Sequence, residues 1–276
     1  MFPLSGITRK ASFSDVNILG TSGVIVTLPI TKDEGDTKYA DKIFRKVLRQ
    51  LANDGVKSTA IEGGNSSYDD IILSLSGFYI LPFLLPQFLR QCKKRLNQQI
   101  ELLIIDEMTD LTLDILCIVS NEVDRITILT EQTDLFENAA YKFYIDSGLN
   151  IFVTNSGENA NMGNVILSAS FNPLENIDKF AGNSIYMDMV GSNNASAALE
   201  AKRRDIIVAD GFELKIDDKY IDNILLETIL YANNNQLKAY ISGNYDNDEF
   251  YGVFDMVQSI QPRITAFRKR KKPDTD

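Results

Sequence analysis

The amino-acid sequence predicts an α/β protein in which a mostly parallel sheet is covered by helices on both faces. Short apolar runs rich in β-branched residues recur along the chain, and longer amphipathic stretches separate them. Strands buried on both faces carry such continuous apolar runs, and parallel strands are usually connected by a helix. Two clear runs begin at residues 101 and 125, about 24 residues apart, which suits one strand, a right-handed crossover helix and the next strand.

The first third of the chain is predicted to form a smaller α/β domain, residues 1–97. Its best-supported helix places Ile43, Val47 and Leu51 at four-residue intervals, so that they share one face. The polar stretch 93–99 marks the predicted boundary. The predicted elements are a strand at 23–29, a helix at 37–53, a strand at 57–61, a helix at 68–75, a strand at 78–80 and a helix from Pro82 to Leu96.

Residues 98–267 are predicted to form a larger α/β domain that ends in helices, and residues 268–276 a basic disordered tail. The predicted strands are 101–106, 125–130, 149–154, 164–169, 185–189 and 205–209, with helices at 110–122, 134–147, 174–180 and 194–204. A helix at 218–233, a strand at 237–241 and a helix at 248–259 follow.

The composition of the 276-residue chain excludes several kinds of chemistry. The sequence contains no histidine, which rules out the Ser-His-Asp triad, the Cys-His pair and zinc held by histidine. Its two cysteines, Cys92 and Cys117, give neither a zinc ribbon nor a disulfide framework and are interpreted as buried structural thiols. With few cysteines and no secretory signal at the start of the sequence, a cytoplasmic location is expected.

The net charge argues against broad contact with nucleic acid. The chain has 28 Lys and Arg against 38 Asp and Glu, or -10. Five basic residues and two acids lie in the tail, so the body carries 23 against 36, or -13. A solvated terminus is therefore favoured over binding of nucleic acid or an anionic membrane by the basic run. That run consists of Arg268, Lys269, Arg270, Lys271 and Lys272.

A stretch of 19 uncharged residues at 71–89 is almost long enough to span a membrane. Gly77, Pro82 and Pro86 interrupt it, together with several polar residues. A buried strand followed by a helix is therefore favoured over a transmembrane span.

The segments 100–106, 125–131, 150–155 and 164–171 resemble the strand series of the NAD(P)-binding, Rossmann-like domain of glutamyl-tRNA reductase and shikimate dehydrogenase. The smaller α/β domain placed before them is similar in order to shikimate dehydrogenase. The resemblance covers about 70 residues. It implies a Rossmann-like sheet, an NAD(P) cofactor and an oxidoreductase activity.

The turn after the first of these strands departs from that family. Such domains carry Gly-x-Gly-x-x-Gly there, so that bare backbone approaches the pyrophosphate. Here the turn reads Asp106-Glu107-Met108-Thr109-Asp110-Leu111, without glycine and with three carboxylates. The sequence therefore predicts a degenerate nucleotide-binding scaffold that disfavours a diphosphate. These carboxylates do not have the Asp-x-Asp spacing of a magnesium-dependent phosphatase, and no metal site is predicted.

Other polar residues also follow predicted strands. Glu131 stands where an acid would hold the adenosine ribose of NAD, but an acid at the start of a helix, with Thr133 as N-cap, is the favoured interpretation. If a dinucleotide binds, Glu131, Asn155, Ser156 and Gly157 are the candidate cofactor-binding residues. The loops at 62–67 and 191–194 are interpreted as a strand-to-helix turn and as part of a possible ligand cleft.

Three hypotheses follow from these patterns. The favoured one is a noncatalytic protein on a degenerate Rossmann-like scaffold, which acts by protein contacts or by binding a small ligand. The alternative is an NAD(P)-dependent oxidoreductase with an atypical phosphate-binding turn. The third is a membrane- or nucleic-acid-associated factor that uses the basic tail and the uncharged segment 71–89. The spacing of polar residues identifies no catalytic acid, base or nucleophile.

Overall fold

The computed structural model describes residues 12–28, 38–61, 71–170, 173–190, 193–209, 211–216 and 218–267. The strands in this part of the chain are β1 (Ser12–Ile18), β2 (Thr21–Thr27), β3 (Ser58–Ala60), β4 (Leu73–Leu75), β5 (Glu101–Asp106), β6 (Arg125–Leu129), β7 (Asn150–Thr154), β8 (Val165–Ala169), β9 (Ile185–Asp188), β10 (Ile207–Ala209), β11 (Phe212–Ile216), β12 (Lys219–Asp222) and β13 (Arg263–Phe267).

Its α-helices are α1 (Lys38–Asn53), α2 (Leu81–Leu96), α3 (Thr109–Val119), α4 (Thr133–Ser147), α5 (Asn193–Lys202), α6 (Asn223–Asn233), α7 (Asn235–Ile241) and α8 (Asn247–Ile260). Two 3-10 helices, Gly157–Met162 and Pro173–Lys179, connect β7 to β8 and β8 to β9. Within the described residues, none of the helices is long and apolar enough to cross a membrane.

Six strands form one parallel sheet in the order β7-β6-β5-β8-β9-β10. Numbered along the chain, this is the order 3-2-1-4-5-6 of the doubly wound dinucleotide-binding fold. The predicted fold class, an α/β protein with a mostly parallel, Rossmann-like sheet, is therefore confirmed.

The central strands of this sheet are buried on both faces. Every residue of β8 is buried, as are all residues of β5 after the first. On one face, Leu103, Ile166 and Tyr186 pack with Leu199 of α5 and with the 3-10 helices. Gly163 lies against this sheet so closely that an added Cβ would be 2.5 Å from the Leu103 Cβ. A glycine is required there because the chain approaches β5 without room for a side chain.

The chain folds into two compact units, each built from two separate segments of sequence. The larger one comprises Ile80–Asn223 and Phe254–Asp276 and contains the six-stranded sheet. It also holds the antiparallel sheet β12-β11-β13, against which α2 packs through Phe88 and Phe212, whose ring centroids are 5.4 Å apart.

The other unit comprises Met1–Tyr79 and Ile224–Val253. It contains the antiparallel hairpin β1-β2, the parallel pair β3-β4, and α1, whose residues Val47, Leu48 and Leu51 pack on Ile72. The fully buried carboxylate of Glu227 in α6 accepts a hydrogen bond from the Gly77 amide at 2.9 Å.

These units differ from the predicted division at residues 97 and 98. Helix α2 lies in the larger unit, and α6 and α7 lie in the smaller one, so the smaller unit is not confined to the N-terminal third. The physical reason is that the apolar side of α2 is buried on the antiparallel sheet of the larger unit. The polar stretch 93–99 is therefore the end of a helix rather than a linker.

Several predicted elements are wrong in type. Residues 73–75, predicted as the end of a helix, form β4, and residues 78–80 are a turn before α2 rather than a strand. Residues 219–222, predicted as helix, form β12, and residues 237–241, predicted as a strand, lie in α7. The predicted strand at 23–29 is the second strand of an antiparallel hairpin, and residues 62–67 lie outside the described part.

Candidate functional site

The candidate site is the carboxyl edge of the six-stranded sheet, defined here as the ends of β5, β6, β7, β8 and β9 with the turns that follow them. All six strands are parallel, so their carboxyl ends lie along this one edge. The strand order reverses between β5 and β8, and open α/β sheets bind their ligands outside the carboxyl ends at such a reversal.

Asp106 closes β5 and is held by two hydroxyl groups. Thr112 of α3 donates its Oγ1 hydrogen to Asp106 Oδ1 at 2.6 Å, and Thr130, which follows β6, donates to Asp106 Oδ2 at 2.7 Å. All three side chains are buried. We call this group the Asp106 clamp. It joins the first strand, its following helix and the second strand at the point where the strand order reverses.

The turn between Asp106 and α3 is short and carries side chains throughout. The Glu107 amide donates to the Ala169 carbonyl at 3.1 Å, which ties the turn to β8. Met108 precedes the first helical residue and gives the helix no side-chain cap. The carboxylates of Glu107 and Asp110 are exposed beside the start of α3. The first turn of this helix therefore has two exposed carboxylates beside it.

Glu131 is exposed at the carboxyl edge, directly after Thr130. The backbone beside it is fixed, because the Gln132 amide donates to Thr130 Oγ1 at 2.9 Å. The acid therefore stands at the end of the second strand, as predicted, with its carboxylate directed to solvent. Its binding role stays a prediction.

The turn after β7, which holds the three predicted residues, is fixed by local hydrogen bonds. Thr154 Oγ1 accepts hydrogen bonds from the Ser156 amide at 3.0 Å and from Asn159 Nδ2 at 3.1 Å. Ser156 caps the following 3-10 helix, and the side chain of Asn155 is exposed. A Cβ added at Gly157 would overlap the amide of Asn176. The Asn176 side chain would have to move to admit a side chain at Gly157, and the binding role of these residues stays a prediction.

A second polar group lies on the opposite face of the sheet. Asp106 is in register with Ala169, so the preceding residue, Ser168, faces away from the Asp106 clamp. Ser168 is in register with Asp188 of β9, and both side chains are buried. The Val190 amide donates to Asp188 Oδ1 at 2.9 Å.

Ser196 is a further buried hydroxyl residue. It lies in α5, one helical turn before Leu199, which packs with Tyr186. Ser168 Oγ and Ser196 Oγ are buried and have no hydrogen-bond partner in the described part of the chain. Buried hydroxyls without partners are costly and uncommon, and a bound molecule or water satisfies them.

The structure brings Thr112 and Thr130 to Asp106, and it buries Ser168 and Ser196. The sequence pattern identifies none of these four residues, because isolated hydroxyl residues occur throughout any chain. The available signal concerns Ser168, which interrupts the apolar strand Val165–Ala169 one residue before its end. Residues 191 and 192 and the basic run at 268–272 lie outside the described residues.

The cysteines and acids of the described residues form no redox or metal centre. No group of three His, Cys, Asp or Glu residues within those residues could hold a metal ion. Burial raises the pKa of the Cys92 thiol to about 12, so this thiol stays protonated at neutral pH. Cys117 was predicted to be buried, which is wrong. It lies on the exposed side of α3, because Thr112, Ile115 and Val119 supply the opposite side of the helix, which packs.

The sheet order and its helices define the larger unit as a Rossmann-like α/β domain. No protein-family model matches the chain, and no curated protein matches it. Among solved structures it is similar to L-tryptophan dehydrogenase from Nostoc punctiforme, with 10% identity and a TM-score of 0.39 over 87% of this chain and 69% of that one.

Two further similarities concern dehydrogenases. Shikimate 5-dehydrogenase from Listeria monocytogenes, solved with shikimate and NAD, shares 9% identity over 76% of this chain and 74% of its own, with a TM-score of 0.35. D-mandelate dehydrogenase from Rhodotorula graminis shares 9% over 77% and 81%, with a TM-score of 0.33. Similarities this low identify neither a family nor an activity.

Proposed function

We propose that the Rossmann-like unit is a noncatalytic binding domain whose carboxyl edge accepts a small molecule without a diphosphate. The observation that carries this proposal is the Asp106 clamp. In dinucleotide-binding domains the corresponding turn is bare backbone that approaches the pyrophosphate. Here a carboxylate and its two hydroxyl partners occupy the end of β5, and Met108 adds a side chain where the second glycine would stand.

Electrostatic repulsion by nearby carboxylates also disfavours a diphosphate at this turn. A carboxylate about 6 Å from a phosphate charge costs roughly 0.7 kcal/mol in water, and more where solvent is excluded. Glu107 and Asp110 flank the start of α3, and each would oppose both charges of a diphosphate. The helix N-terminus contributes only about 0.3–1 kcal/mol in favour of an anion. The sum disfavours a diphosphate in the usual position.

Buried polar groups on β8, β9 and α5, namely Ser168, Asp188 and Ser196, support a site for a small polar molecule. Ser168 and Asp188 are in register on the β8 and β9 side of the strand reversal, and the hydroxyls of Ser168 and Ser196 have no partner among the described residues. Ligand sites in such sheets combine an apolar surround with a few polar groups that fix orientation. The apolar cluster around Tyr186 provides that surround.

An NAD(P)-dependent oxidoreductase is the second candidate, and the exposed carboxylate of Glu131 favours it. This acid follows the second strand of a sheet in the 3-2-1-4-5-6 order, where an acid binds the adenosine ribose of NAD. In this case Asn155, Ser156 and Gly157 would border the cofactor from the end of β7. The dinucleotide would have to cross the turn after β5 without overlapping the Met108 side chain.

Calorimetric titration of the full chain with NADH and NADPH separates the two candidates. We expect no binding heat at millimolar dinucleotide and no rise in melting temperature. The second candidate requires binding that Glu131→Gln weakens and that Glu137→Gln, an exposed acid on α4, leaves unchanged. That pattern would contradict the proposal, because it would show a dinucleotide held at the end of β6.

A thermal-shift screen of small polar metabolites tests the positive part of the proposal. A ligand present at about 100 times its Kd stabilises the folded chain by about 2.7 kcal/mol. We expect a stabilising compound whose effect is lost in Asp188→Asn and kept in Asp146→Asn, an exposed acid of α4. Stabilisation that both variants retain would place the site elsewhere.

A further inference from the structure

The strand β7 forms an open edge of the six-stranded sheet. It pairs with β6 on one side, and no strand within the described residues pairs with its other side. Proteins usually blunt such edges with charged residues, proline or bulges. β7 has the sequence Asn-Ile-Phe-Val-Thr, without charge or proline, and its ladder with β6 is regular over all five residues.

The backbone direction along β7 follows from one hydrogen bond. The carbonyl of Thr154 accepts from the Thr130 amide at 2.9 Å, so Thr154 directs its backbone groups toward β6. Backbone groups alternate in direction along a strand, and Phe152 therefore also faces β6. Ile151 and Val153 direct their amide and carbonyl groups to the open edge.

This pattern is self-complementary. A two-fold axis at Phe152 would place Ile151 opposite Val153 of a second copy, and these two residues would exchange both of their amide-to-carbonyl hydrogen bonds. The sequence is symmetric in character about the same point, because a polar and a β-branched residue flank Phe152 on each side. Phe152 itself would form the non-hydrogen-bonded pair on the axis, where side chains approach most closely.

The helix above this edge has an exposed apolar surface. Of the fifteen residues of α4, which packs on β7, only Phe136 is buried. Tyr141, Tyr144 and Ile145 are 68%, 60% and 63% exposed. Tyrosine is enriched in protein interfaces, and an axis beside β7 would place the two α4 helices antiparallel on one face of the joined sheet.

We infer that β7 pairs antiparallel with β7 of a second copy of this chain across a two-fold axis at Phe152, with α4 beside it. Four exposed apolar side chains lie on α4, namely Leu135, Tyr141, Tyr144 and Ile145, and Phe152 is exposed on β7 itself, on the sheet face of Leu103. Together the five offer roughly 500 Å² per chain, since a large aromatic side chain buries about 150–250 Å². A stable dimer buries about 800 Å² per partner, so the pairing requires the β7 backbone and polar residues of α4 to bury the remainder.

Light scattering on a size-exclusion column tests this pairing with the full chain. Phe152→Lys and Phe152→Glu each place two like charges face to face on the axis. We expect the wild-type chain to have twice its 31.0 kDa mass, each variant to have the single-chain mass, and an equimolar mixture of the two variants to return to the doubled mass. The rescue by mixing excludes simple misfolding as the cause.

Tyr220→Lys is the matched control, because Tyr220 is a 62% exposed aromatic residue on β12. This variant should keep the wild-type mass. Val153→Pro adds a second test, since it removes an outward amide that β6 does not use and should also halve the mass while preserving the circular dichroism spectrum. A monomeric wild-type chain, or a Phe152→Lys variant that keeps the doubled mass, would overturn the inference.

Discussion

Replacing Asp106 by alanine should destabilise the larger unit substantially, although it removes a buried charge. The variant loses two hydrogen bonds to a charged acceptor, at 2.6 and 2.7 Å, each worth about 1.5–3 kcal/mol. It also leaves the buried hydroxyls of Thr112 and Thr130 without their acceptor. Burying the carboxylate has its own desolvation cost, which the variant recovers, so the expected net loss is about 3 kcal/mol.

Urea unfolding followed by circular dichroism measures this loss, with Asp110→Ala as the control. Asp110 is an exposed acid in the first turn of α3, and its removal should cost no more than about 1 kcal/mol. Hydrogen exchange of the β5 amides locates the effect in the six-stranded sheet.

A double-mutant cycle sharpens the test. Thr112→Val alone should cost about 1.5–3 kcal/mol, whereas in the Asp106→Ala background the same change should cost little, because the Thr112 hydroxyl has already lost its acceptor. If the two stability losses are additive, the hydroxyl and the carboxylate are not coupled. That result, or an Asp106→Ala variant whose free energy of unfolding lies within about 0.5 kcal/mol of the wild type, would show that the Asp106 clamp does not hold the carboxyl edge together.

Three further outcomes are expected. Gly163→Ala should lower stability by about 1–3 kcal/mol in urea, because its methyl group would lie 2.5 Å from the Leu103 Cβ and 2.8 Å from the Leu103 amide nitrogen. In the folded chain a thiol reagent at pH 8 should modify Cys117 but not Cys92, and urea should expose the second thiol. Asp246→Ala should cost about 1 kcal/mol, because Asp246 Oδ1 accepts two amides of the first turn of α8 at 2.9 and 3.0 Å.

Each of these outcomes has a contradicting result. A Gly163→Ala variant as stable as the wild type would mean that the chain near β5 shifts easily. Two reactive thiols in the folded chain would contradict the burial of Cys92. An unchanged unfolding midpoint for Asp246→Ala, beside an Asn244→Ala control on the same loop, would show that α8 does not depend on this cap.

The core of the larger unit could be predicted because its strands are buried on both faces. β5 was predicted with its observed bounds, and β6, β7 and β8 within one residue at each end. Continuous apolar runs of five or six residues carry this information locally. The pairing order of the strands is not local, and it became visible only in the folded chain.

Two wrongly predicted elements lie where the pattern of apolar residues disagrees with the folded structure. Residues 237–241 alternate in a way that suits a strand, yet they form α7, whose start is fixed by the Asn234 side chain accepting from the Leu237 amide at 2.8 Å. Residues 219–222, predicted as the start of a helix at 218–233, form β12 because they pair antiparallel with the adjacent strand β11. Local hydrogen bonds, a helix cap and a hairpin, therefore decide both cases.

The candidate site was predicted only in part. The turn after β5 was identified, because its lack of glycine is visible in the sequence. The two hydroxyl partners of Asp106 were not, since Thr112 and Thr130 lie 6 and 24 residues away and nothing in their spacing relates them to that acid. The register of β8 and β9, which brings Ser168 to Asp188, is likewise a property of the sheet.

We propose that the end of β5 does not admit a diphosphate. Crystals of the full chain soaked in millimolar NADH test this, with the electron density inspected around the first turn of α3. We expect Asp106 to stay hydrogen-bonded to Thr112 and Thr130, with no dinucleotide beside Met108. Density for a pyrophosphate on the amides of Thr109 and Asp110 would contradict it.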